Sequence, residues 1–442
     1  MKPKIIFSPP GPKAKKIIAR DKKIMSNSLT RVYDLVVEKG KGANLWDIDG
    51  NCYLDFNSCI AVMNLGYSNE KILNALKGQL EKITHGAFSD FYGKTPLRFS
   101  EKLIALVKNQ NLKRVFLSNS GTESIEAAIK LAKFATKRKY LLAFYDCFHG
   151  RSLGALSLTC SKRVHRAGFG PFIPTIHVPY PNCYRNPFNL EEPSEVANAT
   201  MAWIEDYVFA KKADPNEIAA VFFEPILGEG GYVVPPKKFV KDLKKICSAN
   251  GILLVVDEVQ SGCLRTGKFL AIENFEVTGD IVCLAKGIAN GFPLGATLFK
   301  EVLNLWPPYS HANTFGGNFV SCAAGEVALD LYSDKNLARA VVKKGKEALK
   351  FLNELKAKSK IIGDVRGMGL MIGLEIVKDK KTKAFGTEIC KKIILNCFKK
   401  GLLLLSAGTH SNVIRIAPPL IISEEDFNAG LEILASEIKK LE

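Results

Sequence analysis

The chain has 442 residues, 47% of them apolar, which is enough for two or three domains and a large core. This composition excludes a disordered chain, and no apolar run reaches the roughly 20 residues that span a bilayer. The formal charge of +18 is partly local: residues 1–41 carry eleven Lys and Arg, and the basic residues of 343–360 alternate with apolar ones, which predicts a solvated amphipathic helix rather than a nucleic-acid surface.

Residues 1–30 read as an arm with one basic helix. The start is charged and proline-rich, unlike a secretory signal. Residues 35–57 alternate, and Asp49-Gly50 between two short strands signals a hairpin. Helices are predicted over about Asn69–Lys82 and Leu97–Lys108. From about residue 112 strands and helices take turns. The strand candidates are Arg114–Ser118, Tyr140–Tyr145, Thr175–Val178, Ala219–Phe223, Ile252–Val256 and Asp280–Leu284. The helix candidates are Glu123–Ala135, Ala197–Phe209, Lys238–Ala249 and Val320–Tyr332. Such alternation predicts an α/β fold with a mostly parallel sheet covered on both faces. A lysine-rich helix to about Ser359 follows. Then come a strand at Gly369–Ile376, a helix near Glu388–Lys400, short strands at Leu402–Leu405 and Val413–Ile416, and a helix from Glu424. This last part predicts a second, α+β unit.

The eleven cysteines are scattered, odd in number and without a CxxC pair. They read as reduced thiols in a cytoplasmic protein, with no metal site.

Asp257 closes one apolar strand and Lys286 follows the next. Both charges therefore fall on one rim of a parallel sheet, where open α/β sheets bind ligands. A lysine there can form a Schiff base and an aspartate can hold a ring nitrogen protonated, which points to pyridoxal phosphate. Ser120-Gly121-Thr122-Glu123 opens a helix after a strand, where backbone N–H groups suit a phosphate; an ordinary N-cap has the same residues. Phe148-His149-Gly150-Arg151 offers an aromatic face and a carboxylate partner, or a core ring and a surface arginine. Glu224 and Glu229 sit in a glycine-rich loop past a strand end, which a solvated turn would also explain. Arg415, between Ile414 and Ile416, needs an anionic partner or ligand if shielded. The GxxxxGK run at 262–268 is followed by Phe269, lacks the magnesium-binding hydroxyl, and is not read as a nucleotide loop.

Taken together, SGTE (120–123), FHGR (148–151), EPILGEGG (224–231), DEVQSG (257–262), RTGK (265–268), AKG (285–287), TFGGN (314–318) and RIAPPL (415–420) resemble the class III, ornithine and 4-aminobutyrate type, aminotransferases. The resemblance runs from about residue 12 to the C-terminus. It implies a fold type I transferase with a seven-stranded, mostly parallel sheet in a large domain (66–318) and a smaller α+β domain from 1–65 and 319–442. It implies a homodimer with active sites at the subunit interface, or a tetramer built from it. Lys286 would carry the cofactor, Asp257 bind the pyridinium nitrogen, Gln260 approach the phenolic oxygen and Phe148 stack on the ring. Ser120, Gly121 and Thr122 would hold the phosphate with Thr314 of the neighbouring subunit, and Glu224 would complete the cofactor set. Arg415 would bind the substrate α-carboxylate and Glu229 pair with it when that carboxylate is absent. Arg151 would take a far carboxylate, Ile60 line the pocket, and Asp90 attract a distal ammonium, unless it is a turn aspartate. The implied reaction moves an amino group from an ω-amino donor to 2-oxoglutarate; an amino-acid racemase on the same fold is the alternative. Cys59, Met63 and Tyr67 replace the usual glycine, asparagine and histidine, which bears on substrate choice and not on the cofactor set.

Overall fold

The computed structural model describes residues 3–442. Its centre is a seven-stranded sheet. In chain order the strands are β1 (Arg114–Ser118), β2 (Tyr140–Phe144), β3 (Thr175–Val178), β4 (Ile218–Phe223), β5 (Leu253–Asp257), β6 (Ile281–Leu284) and β7 (Gly295–Phe299). Their order across the sheet is β1-β7-β6-β5-β4-β2-β3. Every pairing is parallel except the two made by β7, which runs antiparallel to β1 and β6. Strands β4 and β6 are buried along their whole length. That explains their unbroken apolar runs, since helices cover both faces. The expected sheet is therefore present, with β7 as an addition: its short Gly-Ala-Thr-Leu-Phe run follows a Gly/Pro-rich loop and carries little strand signal.

The smaller unit uses both ends of the chain. Strands Val37–Lys41, Asn44–Asp47 and Cys52–Asp55 form an antiparallel sheet, and Leu402–Leu403 adds to Cys52–Asp55 in parallel. The expected hairpin turn is built by Asp47, whose Oδ1 accepts the N–H groups of Asp49 (3.0 Å) and Asn51 (2.8 Å), while Gly50 supplies φ +92°. A second antiparallel sheet joins Ile362–Met368, Met371–Asp379, Val413–Ile416 and Leu405–Ala407. The strand Ile362–Met368 was not foreseen. Its Asp364 and Arg366 break the apolar pattern, yet they can be shielded because Arg366 pairs with both Asp364 and Glu375. The helix expected over Ala197–Phe209 is α-helical only at Pro193–Ala202 and continues as a π-helical stretch, Trp203–Phe209.

The segment Ser58–Ala61 is unusual. All four residues have left-handed φ values of 44°, 52°, 62° and 60°, and none is glycine. Such a turn costs about 1–2 kcal/mol per residue. Its neighbours must over-determine it. All eleven cysteines are unpaired and eight are buried. Among the described residues no helix is long and apolar enough to cross a membrane.

Candidate active site

A cavity of about 470 Å³ opens at the rim where the parallel strands end. Asp257 is the last residue of β5, and Lys286 follows two residues after β6. Both line the cavity. The parallel β5–β6 pairing places Asp257 opposite Cys283, so the acid and the amine emerge from adjacent strands. Lys286 adopts φ +46°, a left-handed backbone that turns the chain sharply off the strand. Burial pushes its ammonium pKa down; Asp257 and Glu224 oppose that, Arg415 adds to it, and Glu229 opposes it again. A lysine so placed gives up its proton more readily than one in water.

Asp257 is held from two sides. Its Oδ1 accepts the Val259 N–H at 2.9 Å, and its Oδ2 lies 2.7 Å from Nδ1 of His149. Both partners are buried. Burial opposes the charge on His149, but the Cys147 sulfur and the Asp257 carboxylate more than offset it, and its pKa rises well above the ordinary value. Glu224 accepts the N–H groups of Phe148 and Gly228, each at 2.8 Å. Burial raises its pKa to about 7, although charged His149 pulls the other way. Gln260 Oε1 is buried and has no hydrogen-bond partner among the described residues.

The helix Gly121–Thr136 points its N-terminus at the cavity. Ser120 caps it by accepting the Glu123 N–H at 3.3 Å. Gly121 allows a close approach: a Cβ there would lie 2.8 Å from Val259 Cγ1. Thr122 Oγ1 sits 2.6 Å from Ser152 Oγ, which donates to Glu126 at 2.5 Å. Phe148 and Arg151 form another wall, with the guanidinium 5.7 Å from the ring centroid.

Arg415 and Glu229 do not line the cavity themselves, but both lie close enough to Lys286 to shift its ammonium. Arg415 Nη1 is 3.3 Å from Glu229 Oε2, and its side chain is only 5% exposed. Its Nε and Nη1 have no hydrogen-bond acceptor among the described residues. Glu229 Oε1 also meets Lys162 Nζ at 3.1 Å.

Three more expected site residues do not line this cavity, and of these Thr314 was expected at the neighbouring subunit's site. Ile60 sits in the left-handed turn, and Val62 rather than Ile60 lines the cavity. Asp90 and Thr314 are exposed and away from the cavity. Cys59 and Tyr67, two of the departures, are linked: the Tyr67 hydroxyl lies 3.2 Å from Cys59 Sγ and donates to Asp55 at 2.7 Å. Two residues with evident roles were not singled out from sequence. His149 lay inside a recognised motif, with no sign that its ring would turn to Asp257. Lys162 carried no local signal, because only the tertiary fold brings it to Glu229.

The family model for aminotransferase class-III matches residues 24–438. An alanine/serine racemase of Pyrococcus horikoshii is 40% identical, covering 99% of this chain and 93% of that protein. A leucine/methionine racemase of Thermococcus litoralis is 39% identical over 96% of each. An acetylornithine aminotransferase of Methanopyrus kandleri is 38% identical over 92% of this chain and 95% of that one. Among solved structures, an amine transaminase from an uncultivated Pseudomonas species in its PLP-bound form superposes with a TM-score of 0.87 at 28% identity, covering 94% of this chain and 98% of that chain.

Proposed function

The chain belongs to the class III aminotransferase family, and from that membership we propose that it moves an amino group from an ω-amino donor, such as ornithine or 4-aminobutyrate, to 2-oxoglutarate. Its cofactor is pyridoxal 5′-phosphate, and the cavity fits that group. Gln260 offers a buried oxygen without a partner, and a helix N-terminus faces the same space. Gly121 and Thr122, with Ser120, would hold the phosphate through N–H groups and the helix dipole. Phe148 would cover the ring, and Asp257 would meet its nitrogen. When bound, the cofactor supplies an electron sink for charge left on the substrate carbon.

The chain's own residues do the rest. Asp257, fixed by Val259 and His149, keeps a negative charge where a ring nitrogen needs one. Lys286 Nζ, its ammonium destabilised by burial, can take the proton from the donor's amino-bearing carbon in the first half of the reaction and give one to the keto-acid carbon that becomes glutamate's in the second. Arg415 takes the α-carboxylate of 2-oxoglutarate, and Arg151 the far carboxylate of 4-aminobutyrate. With an ω-amino donor, Glu229 neutralises Arg415 and leaves a cavity suited to an uncharged chain. Asp90 of a second copy attracts a distal ammonium, and Thr314 of that copy completes the phosphate site, so the working unit is a homodimer.

The observation that carries this reading is Arg415: a buried cation with unfilled donors, 3.3 Å from an acid that could step aside. An enzyme with two chemically different substrates has use for such a switch. The test is a panel of ornithine, lysine, 4-aminobutyrate and alanine with 2-oxoglutarate, scoring glutamate. No glutamate from any ω-amino donor would overturn it. The names of the two racemase relatives favour a second reading, in which the proton returns to the same carbon from the other face. Incubating L-alanine, L-serine, L-leucine or L-methionine without a keto acid and analysing the enantiomers decides between them.

A further inference from the structure

We propose that Lys162 is a positioning residue that gives Glu229 a second seat and so sets how readily Arg415 accepts a carboxylate. The inference rests on the reading of Arg415 given above. The carboxylate of Glu229 is divided between two cations, with Oε2 at 3.3 Å from Arg415 and Oε1 at 3.1 Å from Lys162. Lys162 is itself held, donating to Ser411 Oγ at 3.0 Å.

The backbone beneath Glu229 is pinned. Its carbonyl accepts the Gly408 N–H at 2.8 Å. Two residues on, the Gly231 carbonyl accepts Arg366 Nε at 3.0 Å and Nη2 at 2.8 Å. Arg366 is gripped in turn by Asp364 (2.9 Å) and Glu375 (2.7 Å). With its backbone pinned, Glu229 moves through its side-chain torsions, and a swing away from Arg415 leaves it on Lys162, which it already touches.

The unfilled donors of Arg415 follow from this division. An arginine fully engaged by a carboxylate forms two parallel N–H···O bonds. Here Lys162 draws one oxygen away, and Arg415 Nε and Nη1 are left without acceptors. A substrate carboxylate arriving at Arg415 displaces Glu229 toward a cation already in place. No buried carboxylate is stranded, which would otherwise oppose binding. Without Lys162, Glu229 has one cation, and the substrate must compete with it directly.

The probe is glutarate, an unreactive dicarboxylate, titrated by calorimetry into the cofactor-loaded enzyme, so that the readout needs no turnover. Lys162→Met is expected to weaken glutarate about tenfold, a coupling typical of neighbouring charged groups. Lys162→Arg should restore most of the loss. In a Glu229→Gln background, Lys162→Met should change nothing, because the competitor is gone. Unchanged affinity in the single variant overturns the inference. An equal loss in both backgrounds also overturns it, since Lys162 would then touch the ligand itself. If glutarate does not bind the wild-type enzyme, Arg415 is not a carboxylate site and the inference falls with it. Failure of the ω-amino reading is seen separately, as absence of glutamate in the donor panel.

Discussion

At the scale of single residues, the site depends on side chains that hold other side chains. Asp257 can serve a ring nitrogen only if its orientation is fixed, and the 2.7 Å contact with His149 fixes it. Partners that orient metal-bound side chains are worth about 10- to 100-fold, and His149 orients Asp257 in the same manner. His149→Phe is therefore expected to lower kcat by about tenfold or more, with KM for the amino donor little changed; steady-state kinetics checks this. The same pair has a stability signature. The folded-state pKa of His149 lies above its unfolded value, so its contribution is complete below about 6.5, the ordinary histidine value, and is lost as pH rises through the folded pKa. Urea midpoints of wild type and His149→Phe should differ most in mildly acidic buffer and converge in alkaline buffer. Glu229 is tested at the same scale: Glu229→Gln frees Arg415 and should raise activity on α-amino donors relative to ω-amino donors by about tenfold, the range of a single charged contact. An unchanged ratio in a two-donor assay would remove the switch.

At the scale of elements, the left-handed turn Ser58–Ala61 needs a clamp, and Arg265 is the clamp. It is fully buried and has no acid bonded to it among the described residues. Its guanidinium donates to the carbonyls of Leu370 (3.1 Å) and Pro418 (2.5 Å), to Ser58 Oγ (3.2 Å) and to Asn64 Oδ1. One side chain thus ties the loop after β5, the turn and the small unit together. Burial lowers its pKa to about 10, still far above neutrality, so it remains charged. Arg265→Met would strand at least two buried carbonyls and release the turn. We expect a loss of about 3–5 kcal/mol, read from urea unfolding. None of this could be read from RTGK, because hydrogen bonds to distant carbonyls leave no mark on local sequence. What was legible had a local cause. Strands Arg114–Ser118, Thr175–Val178 and Val413–Ile416 coincide with the apolar runs that announced them, and the last helix starts at Glu424 behind its Ser423 cap. The acid and the amine on adjacent strand ends could also be read, since parallel pairing alone brings them together. The strand Ile362–Met368 and the Lys162–Glu229 contact could not, because both depend on partners far away in the chain.

At the scale of the whole molecule, the exposed positions of Asp90 and Thr314 have a physical consequence. They belong to two stretches packed on each other. Asn318 Nδ2 donates to the Thr84 carbonyl at 3.3 Å, the rings of His85 and Phe315 lie 5.4 Å apart, and a Cβ on Gly93 would sit 2.6 Å from the Phe319 ring. The joint surface leaves Phe91 69% and Phe315 61% exposed. Neither stretch supplies a side chain to this chain's own cavity beyond the shared rim. An apolar surface of this sort is costly in water unless covered. The proposed homodimer covers it with a second copy and needs Asp90 and Thr314 to reach that copy's cavity. The wild-type enzyme should therefore run at twice its chain mass of 48.6 kDa in light scattering. The double variant Phe91→Glu, Phe315→Glu places like charges across the contact and should run as a single chain. That single chain should keep its fold by circular dichroism, because both side chains are exposed. It should also lose the bound cofactor on dialysis, because the proposed dimer draws one donor to the phosphate, Thr314, from the neighbour. A wild-type single chain that retained full activity would sink the shared-site arrangement, and with it the roles given to Asp90 and Thr314.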